Sequence, residues 1–307
     1  MKLLTELTAI RSASGDELLM KEFLLNYINT AKSNWKTQPK IVHGEGFQDA
    51  IILVFGEPKT AVFAHIDSIG FTVGYANNLI KIGGPQILDG LQLVGSDSEG
   101  EIETELMVIE EEDGTTHIKC IYDRTIERGT NLTFKPNFTE TEEFIESPYM
   151  DNRLGVWVAL QICETIENGA IVFSTYEVHG GGSVGFLGRY LYDTYKLHQA
   201  LIADITWVTD GVKHGKGVAI SMRDQGIPRK TYLNKIIAIA KENNITYQLE
   251  VESAGGSDGT MLQKTDLPFD WCFIGAPEDN VHTPTEKVHK YDLQQMVAIY
   301  NVLLKNL

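Results

Sequence analysis

The chain has 307 residues, 43% hydrophobic and 22% charged, a composition ordinary for a globular protein with a full core. Its formal net charge of −16 argues against nucleic acid or an anionic membrane as a partner, because both attract basic surfaces. The three cysteines form no CxxC pair, and no apolar run approaches the roughly 20 residues of a membrane span. We therefore expect a cytoplasmic protein without disulfides or a cysteine zinc site.

Helical and strand patterns alternate in the first 74 residues. Residues 3–30 have the spacing of two amphipathic helices broken at 12–16, and apolar runs at 50–55 and 60–64 predict buried strands. Between residues 75 and 147, short strand-like runs alternate with turn signals, which predicts a small antiparallel β-domain or barrel. The acidic run at 140–146 is predicted to be the linker that returns from this insertion.

From residue 148 the alternation of helices and strands resumes. Helices are predicted at 154–166, 183–195, 232–243 and 290–304, with apolar runs at 170–175, 199–203 and 271–274. Such runs are typical of strands buried on both faces of a parallel sheet. The sequence therefore predicts an α/β fold with a mostly parallel central sheet flanked by helices. Residues 1–74 plus 148–307 would form the main domain, and 75–147 the inserted β-domain.

Four of the apolar runs end beside side chains that bind metal ions. These side chains are His65 with Asp67, Glu177 with His179, Asp204, and His282. Ligands of open α/β sheets bind beyond the carboxyl ends of the strands. Asp151, Glu177 and Asp204 are spaced 26 and 27 residues apart, close to the ~30 residues of one strand–helix repeat. Carboxylates and imidazoles without thiolates suit zinc, or manganese and cobalt, in a hydrolytic site.

Five segments resemble, in chain order, motifs of the glutamyl/deblocking aminopeptidases, the TET-type family of dinuclear zinc metallopeptidases. AHIDSIGF at 64–71 resembles the family's AHxDEIGF, and YMDNRLG at 149–155 resembles DNRxG. ADIT at 203–206, GSDG at 256–259 and HTPTE at 282–286 are similar to its DVT, GTDA and HSPxE segments. The resemblance extends from about residue 3 to 300, and the β-insertion lies where the family has one.

The resemblance implies a role for each matching residue. His65 and Asp204 would hold one metal, Asp151 would bridge two, and His282 would hold the second. Asp67 would accept the other imidazole N–H of His65 and fix its tautomer. The implied cofactor is zinc, one or two ions per chain, with cobalt or manganese as alternatives.

The resemblance also implies an activity and an assembly. The main domain would be a zinc-exopeptidase-like catalytic domain that removes N-terminal residues from short peptides with a metal-activated water. The inserted domain would serve in dimerisation or as a lid, and the chain would form at least a homodimer. Neither nucleic acid nor a membrane is an expected partner.

The chain departs from the family at one catalytic position. The family has two adjacent glutamates, a general base followed by a metal ligand, whereas residues 175–180 (TYEVHG) contain only Glu177. In one register Glu177 is the base, Val178 stands at the position of the metal ligand, and His179 is the candidate to replace that ligand. In the other register Glu177 is the ligand and Tyr176 stands where the base should be. The sequence leaves both registers open.

Two further functions stay open at this stage. The same site would serve an N-acyl amino acid deacylase, or an impaired metal-binding homologue that acts in peptide binding or assembly. The basic residues at 211–229 would favour acidic N-terminal residues if they lined the site.

Overall fold

A computed structural model describes all 307 residues, which include seven α-helices, three short 3-10 helices and 17 strands. Helices α1–α7 span Lys2–Thr8, Leu18–Ala31, Met150–Cys163, Val184–Tyr195, Lys230–Glu242, Asp258–Gln263 and Lys290–Asn306. Strands β1–β9 span Lys40–Val42, Ile51–Phe55, Ala61–His65, Gly70–Val73, Leu79–Ile82, Gln92–Asp97, Gly100–Glu110, Thr116–Ile121 and Asn131–Phe134. Strands β10–β17 span Thr139–Glu140, Phe144–Ser147, Gly169–Ser174, Gln199–Trp207, Val218–Ser221, Tyr247–Glu250, Asp270–Asp279 and Glu286–His289.

The large sheet has eleven strands, with parallel strands at its centre. Nine of them follow the order β1-β2-β12-β3-β13-β16-β17-β11-β10, while β14 pairs with both β16 and β15. The four central strands β12, β3, β13 and β16 are mutually parallel, and the strands that flank them on this path are antiparallel. The α/β prediction is confirmed, and the parallel strands present their carboxyl ends at one edge.

Helices cover both faces of the large sheet. On one face, α1, α2, α3, α5 and α7 pack on strand residues such as Val62 and Leu201. On the other face, α4 and α6 pack on residues such as Phe63 and Ile202. Successive residues of a strand point to opposite faces, so a strand covered on both sides must be apolar throughout. This is why the central strands appear in the sequence as unbroken apolar runs.

The second sheet is antiparallel and has its own core. Its six strands follow the order β5-β4-β9-β6-β7-β8. Phe71, Leu93, Leu106 and Phe134 are buried inside it. A bridge between Asn78 and Lys119 brings its two ends together, which gives a nearly closed, barrel-like sheet.

The strand pairing places the limits of the second sheet differently from the predicted boundaries. β4 belongs to the second sheet, although the sequence predicts residues 70–73 to lie in the main domain. The linker predicted at 140–146 is wrong, because β10 and β11 lie in the large sheet and β11 pairs with β17. Its acidic side chains are largely solvent-facing while Ile145 is buried. The many charged residues therefore make this strand resemble a linker in the sequence. We therefore propose residues 70–134 as the inserted unit.

None of the seven helices combines the length and the apolar character needed to cross a membrane.

Candidate metal centre

Asp151 lies between two imidazole rings at the edge of the large sheet. Its Oδ1 is 3.1 Å from Nε2 of His65, and its Oδ2 is 3.1 Å from Nε2 of His282. His65 is the last residue of β3, whereas His282 follows β16 in a turn with a left-handed backbone (φ 65°). Three predicted residues from distant parts of the chain are thus brought to one point.

Both histidines are anchored through the opposite ring nitrogen. Nδ1 of His65 is 3.2 Å from the backbone carbonyl of Asp67, and Nδ1 of His282 is 3.1 Å from the carbonyl of Gly84. A carbonyl only accepts hydrogen bonds, so each Nδ1 donates and each Nε2 keeps its lone pair towards Asp151 in the neutral ring. This is the arrangement by which proteins orient metal-binding histidines.

Asp204 joins His65 and Asp151 from the middle of β13. Its Oδ2 is 3.5 Å from Nε2 of His65, and one donor atom from each of the three residues lies within 4.8 Å of the others. Burial raises the pKa of Asp204. For His65, burial lowers the pKa, but the neighbouring carboxylates of Asp204, Asp151 and Asp67 outweigh it and raise the pKa well above 6.5. The cluster therefore attracts positive charge.

The start of α3 holds Asp151 against β13. The side-chain nitrogen of Asn152 donates to the carbonyl of Ala203 over 2.8 Å, and the backbone N–H of Gly155 donates to Oδ1 of Asn152. A Cβ on Gly155 would lie 2.2 Å from the carbonyl oxygen of Ala203, so only glycine permits this approach. The DNRLG segment thus sets the distance between Asp151 and Asp204.

Glu177 reaches the same cluster from the loop after β12. Its Oε2 lies 3.8 Å from Nε2 of His65. Burial raises the pKa of Glu177 well above 4.5, His65 opposes this shift, and the Asp204 carboxylate adds to it. Asp67 fixes the loop, because its two oxygens accept the backbone N–H groups of Glu177 and Val178, each over 3.1 Å. Asp67 also lies 3.2 Å from Nδ1 of His65, so one carboxylate positions both residues.

Tyr176 and His179, on either side of Glu177 and Val178, do not line the cavity beside the cluster. The Tyr176 ring packs against Gly15 and Gly182, and it does not line the cavity beside the metal centre. His179 is exposed, and its Nδ1 accepts the backbone N–H of Gly83 over 3.2 Å. The suggestion that His179 replaces a metal ligand is not supported, since the loop turns its side chain to solvent.

Two buried glutamates at the centre had no role in the sequence-based prediction. Glu286 accepts the backbone N–H groups of Asp151 and His282 over 3.2 and 2.9 Å, and it thereby holds both residues in place. Glu278 is 1% exposed, and neither of its carboxylate oxygens has a hydrogen-bond partner. The signal for Glu278 was its position at a strand end. The sequence does not reveal this position, because Pro277 is expected to terminate a strand, whereas β16 continues to Asp279.

A cavity of about 750 Å³ opens beside these residues. Eight carboxylates and no lysine or arginine line it: Asp151, Glu177, Asp204, Asp224, Glu250, Glu252, Glu278 and Asp279. None of the basic residues at 211–229 lines it, and Arg229 instead pairs with Asp270 at the surface. Those residues therefore give no reason to expect acidic substrates.

The donors at the centre fit divalent cations. Nitrogen and carboxylate oxygen donors converge without a thiolate, which suits zinc and its neighbours in the first transition series. The carboxylates that line the cavity also outnumber its basic groups, and the buried carboxylate of Glu278 has no hydrogen-bond partner. Bound cations would compensate both the charge excess and the missing partner.

An α/β sheet with this donor set near the carboxyl ends of its parallel strands places the chain among α/β proteins with a candidate metal site. The family comparison is specific: the model of the M42 glutamyl aminopeptidase family matches residues 96–299. The chain belongs to this family, which confirms the resemblance found in its motifs. A putative aminopeptidase from Acetivibrio thermocellus is 28% identical over 168 residues, which are 50% of this chain and 49% of that protein. The match thus spans about half the length of this curated relative.

Solved structures agree with this fold along the whole chain. An aminopeptidase from the archaeon Desulfurococcus kamchatkensis superposes with a TM-score of 0.84 at 20% identity, covering 100% of this chain and 94% of that one. A TET aminopeptidase from a marine sediment archaeon of the Thaumarchaeota gives 0.85 at 17% identity, with 100% and 96% covered. The TET1 peptidase of Pyrococcus horikoshii gives 0.82 at 21% identity, with 99% and 98% covered. At these identities the likeness establishes the fold.

Proposed function

We propose that the protein is a metal-dependent aminopeptidase that removes N-terminal residues from short peptides. The observation that carries this proposal is the Asp151 carboxylate between Nε2 of His65 and Nε2 of His282. A carboxylate with one oxygen towards each of two imidazoles is suited to bridge two cations. Membership of the M42 family supports the same activity.

Zinc is the proposed cofactor, with cobalt or manganese as alternatives. His65, Asp151 and Asp204 would hold one ion, and Asp151 and His282 would hold a second. Bound ions would supply Lewis-acid polarisation of the peptide carbonyl and would make water a better nucleophile near neutral pH. The carbonyls of Asp67 and Gly84 keep both histidine Nε2 atoms available for this purpose.

Glu177 is the proposed proton carrier. Its buried carboxylate has a raised pKa, so it accepts a proton from the attacking water more readily than an exposed glutamate would. Oε2 would take that proton and deliver it to the nitrogen of the leaving amine. Asp67 is proposed as the positioning residue, because it holds the backbone of Glu177 and orients His65 at once.

The charge of the cavity suits a substrate with a free amino terminus. Eight carboxylates without a lysine or arginine among the lining residues favour a cationic α-ammonium group over a neutral acyl group. A deacylase would have to bind the neutral group in the same place. The single glutamate of the segment 175–180 motivates the impaired-homologue alternative, but Tyr176, which would face the metal pocket in such a protein, does not line the cavity.

A matched pair of substrates tests this proposal. Leucyl and N-acetyl-leucyl amides should be compared after zinc, cobalt or manganese has been added to metal-free protein. We expect hydrolysis of the free amine alone, and only with metal, since the acetyl group removes the charge that the cavity binds. Hydrolysis of the acetylated amide alone would establish a deacylase, and no turnover with any ion would refute the proposal.

Two wider proposals concern assembly and compartment. We propose that the inserted unit forms contacts between copies of the chain, because Tyr75, Ile80 and Ile121 on it are more than half exposed. The Pyrococcus horikoshii TET1 peptidase, which shares this fold, can assemble into a tetrahedron or an octahedral shell. Light scattering should give a mass above the 34.2 kDa of one chain, and a mass of one chain would refute the proposal.

The proposed compartment is the cytoplasm, with three free, buried cysteines in support.

A further inference from the structure

Glu278 is a buried carboxylate without any hydrogen-bond partner. Its side chain is almost completely removed from solvent, and both of its oxygens lack a donor. Burying a carboxylate without a partner is costly, so such groups in folded proteins are protonated, paired or bound to a cation. The cavity that Glu278 lines holds Asp151, Asp204 and His282 as well, so the cation candidate lies at the proposed metal centre.

The cavity offers Glu278 no lysine or arginine side chain as a partner. Burial, together with the carboxylates of Glu286, Asp151 and Asp204, raises the pKa of Glu278 well above 4.5. A cation bound beside Glu278 would supply the positive charge that no lysine or arginine of the cavity provides.

The two carboxylate oxygens of Asp151 have different numbers of possible metal-binding side chains beside them. On the Oδ1 side, His65 and Asp204 are present and Glu177 approaches His65 to 3.8 Å. On the Oδ2 side, His282 is the single imidazole within 3.1 Å. The loop after β12 adds no further donor there, since Val178 is apolar and His179 is exposed.

We propose that Glu278 is the carboxylate ligand that completes a second divalent-cation position with Asp151 and His282. It would take the place of the second glutamate that the segment 175–180 lacks. β16 carries Glu278 to the cavity that Asp151 and His282 also line, because this strand continues past Pro277 beside β13 and ends shortly before the turn with His282. This inference rests on the proposed function and adds a ligand that the sequence motifs do not contain.

The test is a zinc titration of metal-free protein, followed by calorimetry and by elemental analysis after dialysis. The wild-type chain should bind about two ions. Glu278→Gln should retain the first ion and bind the second at least about 100-fold more weakly, since changes around metal ligands cost 10–100-fold and the loss of a direct ligand belongs at the upper end. His282→Ala should lose the same ion, and the double variant should lose no more than either single variant.

A matched control and a second measurement complete the test. Glu250→Gln alters another buried glutamate of the same cavity, one whose carboxylate accepts the Thr206 hydroxyl, and it should leave zinc binding unchanged. Metal-free Glu278→Gln should melt at or above the wild-type temperature because it removes an unpaired buried charge, while its stabilisation by zinc should be smaller.

The outcomes separate this inference from the proposed function. Two ions bound by Glu278→Gln with wild-type affinity would overturn the inference and leave the aminopeptidase proposal intact. A wild-type chain that binds only one ion would overturn the inference as well. A wild-type chain that binds no zinc, cobalt or manganese would overturn both.

Discussion

The Asp151→Asn variant is expected to lose metal ions and nearly all peptidase activity. Asparagine keeps the shape of the side chain but removes the charge and replaces one of the two oxygens that face His65 and His282. Cation polarisation is worth several kcal/mol, so its loss should lower kcat/KM by about 10³-fold or more. Hydrolysis of leucyl amide and the zinc content after dialysis measure the two effects.

Asp279→Asn is the matched control for this variant. Asp279 also lines the cavity, but its side chain is 44% exposed and pairs with His214 over 3.0 Å. Its replacement removes one negative charge from the cavity without touching Asp151, so zinc content and kcat should stay close to the wild type. If Asp151→Asn retained wild-type zinc content and turnover, the proposed bridge between two ions would be wrong.

The Glu177→Gln variant is expected to retain its metal ions and lose catalysis. Glutamine cannot accept the proton, and general acid–base catalysis contributes about 10²–10⁴-fold, so kcat should fall by that factor. The KM for leucyl amide should change little, because the cavity and its other carboxylates remain. Asp67→Asn should have a smaller effect of about 10–100-fold, since Asp67 acts through the loop and through His65.

Tyr176→Phe decides between the two registers of this loop. Tyr176 lies outside the cavity, so removing its hydroxyl should leave kcat unchanged. Loss of one zinc ion in Glu177→Gln would make Glu177 a ligand rather than a base. A collapse of kcat in Tyr176→Phe would point to Tyr176 as the proton carrier instead.

The sequence was sufficient to locate the residues at the ends of the parallel strands. Unbroken apolar runs identify strands covered on both faces, and the carboxyl ends of parallel strands must meet at one edge. His65 ends β3 as this rule predicts, whereas Asp204 was located although its strand continues to Trp207, and Asp151 follows from the length of a strand–helix repeat. The structure brings all three together, and His282 joins them from the next strand along the sheet.

The remaining features depend on contacts that a linear pattern does not contain. The acidic run 140–146 pairs with β17, a strand more than 140 residues away, and nothing local identifies that partner. The orientation of Glu177 relative to Tyr176 is set by Asp67, which binds the backbone and leaves no trace in the spacing of the side chains. Glu278 was missed because a proline within a strand resembles the end of that strand.

The inserted unit contacts the turn that carries His282 through residues 84–86, which lie between β5 and β6. Gly84 accepts the imidazole N–H of His282, and Gln86 donates its backbone and side-chain N–H groups to the carbonyls of His282 and Val281 over 3.0 Å each. Separating the inserted unit from the large sheet would break all three bonds and free the ring. By thermodynamic reciprocity, an ion that requires this ring orientation also stiffens the junction between the two sheets. Metal binding would therefore be coupled to the geometry of any assembly built through the inserted unit.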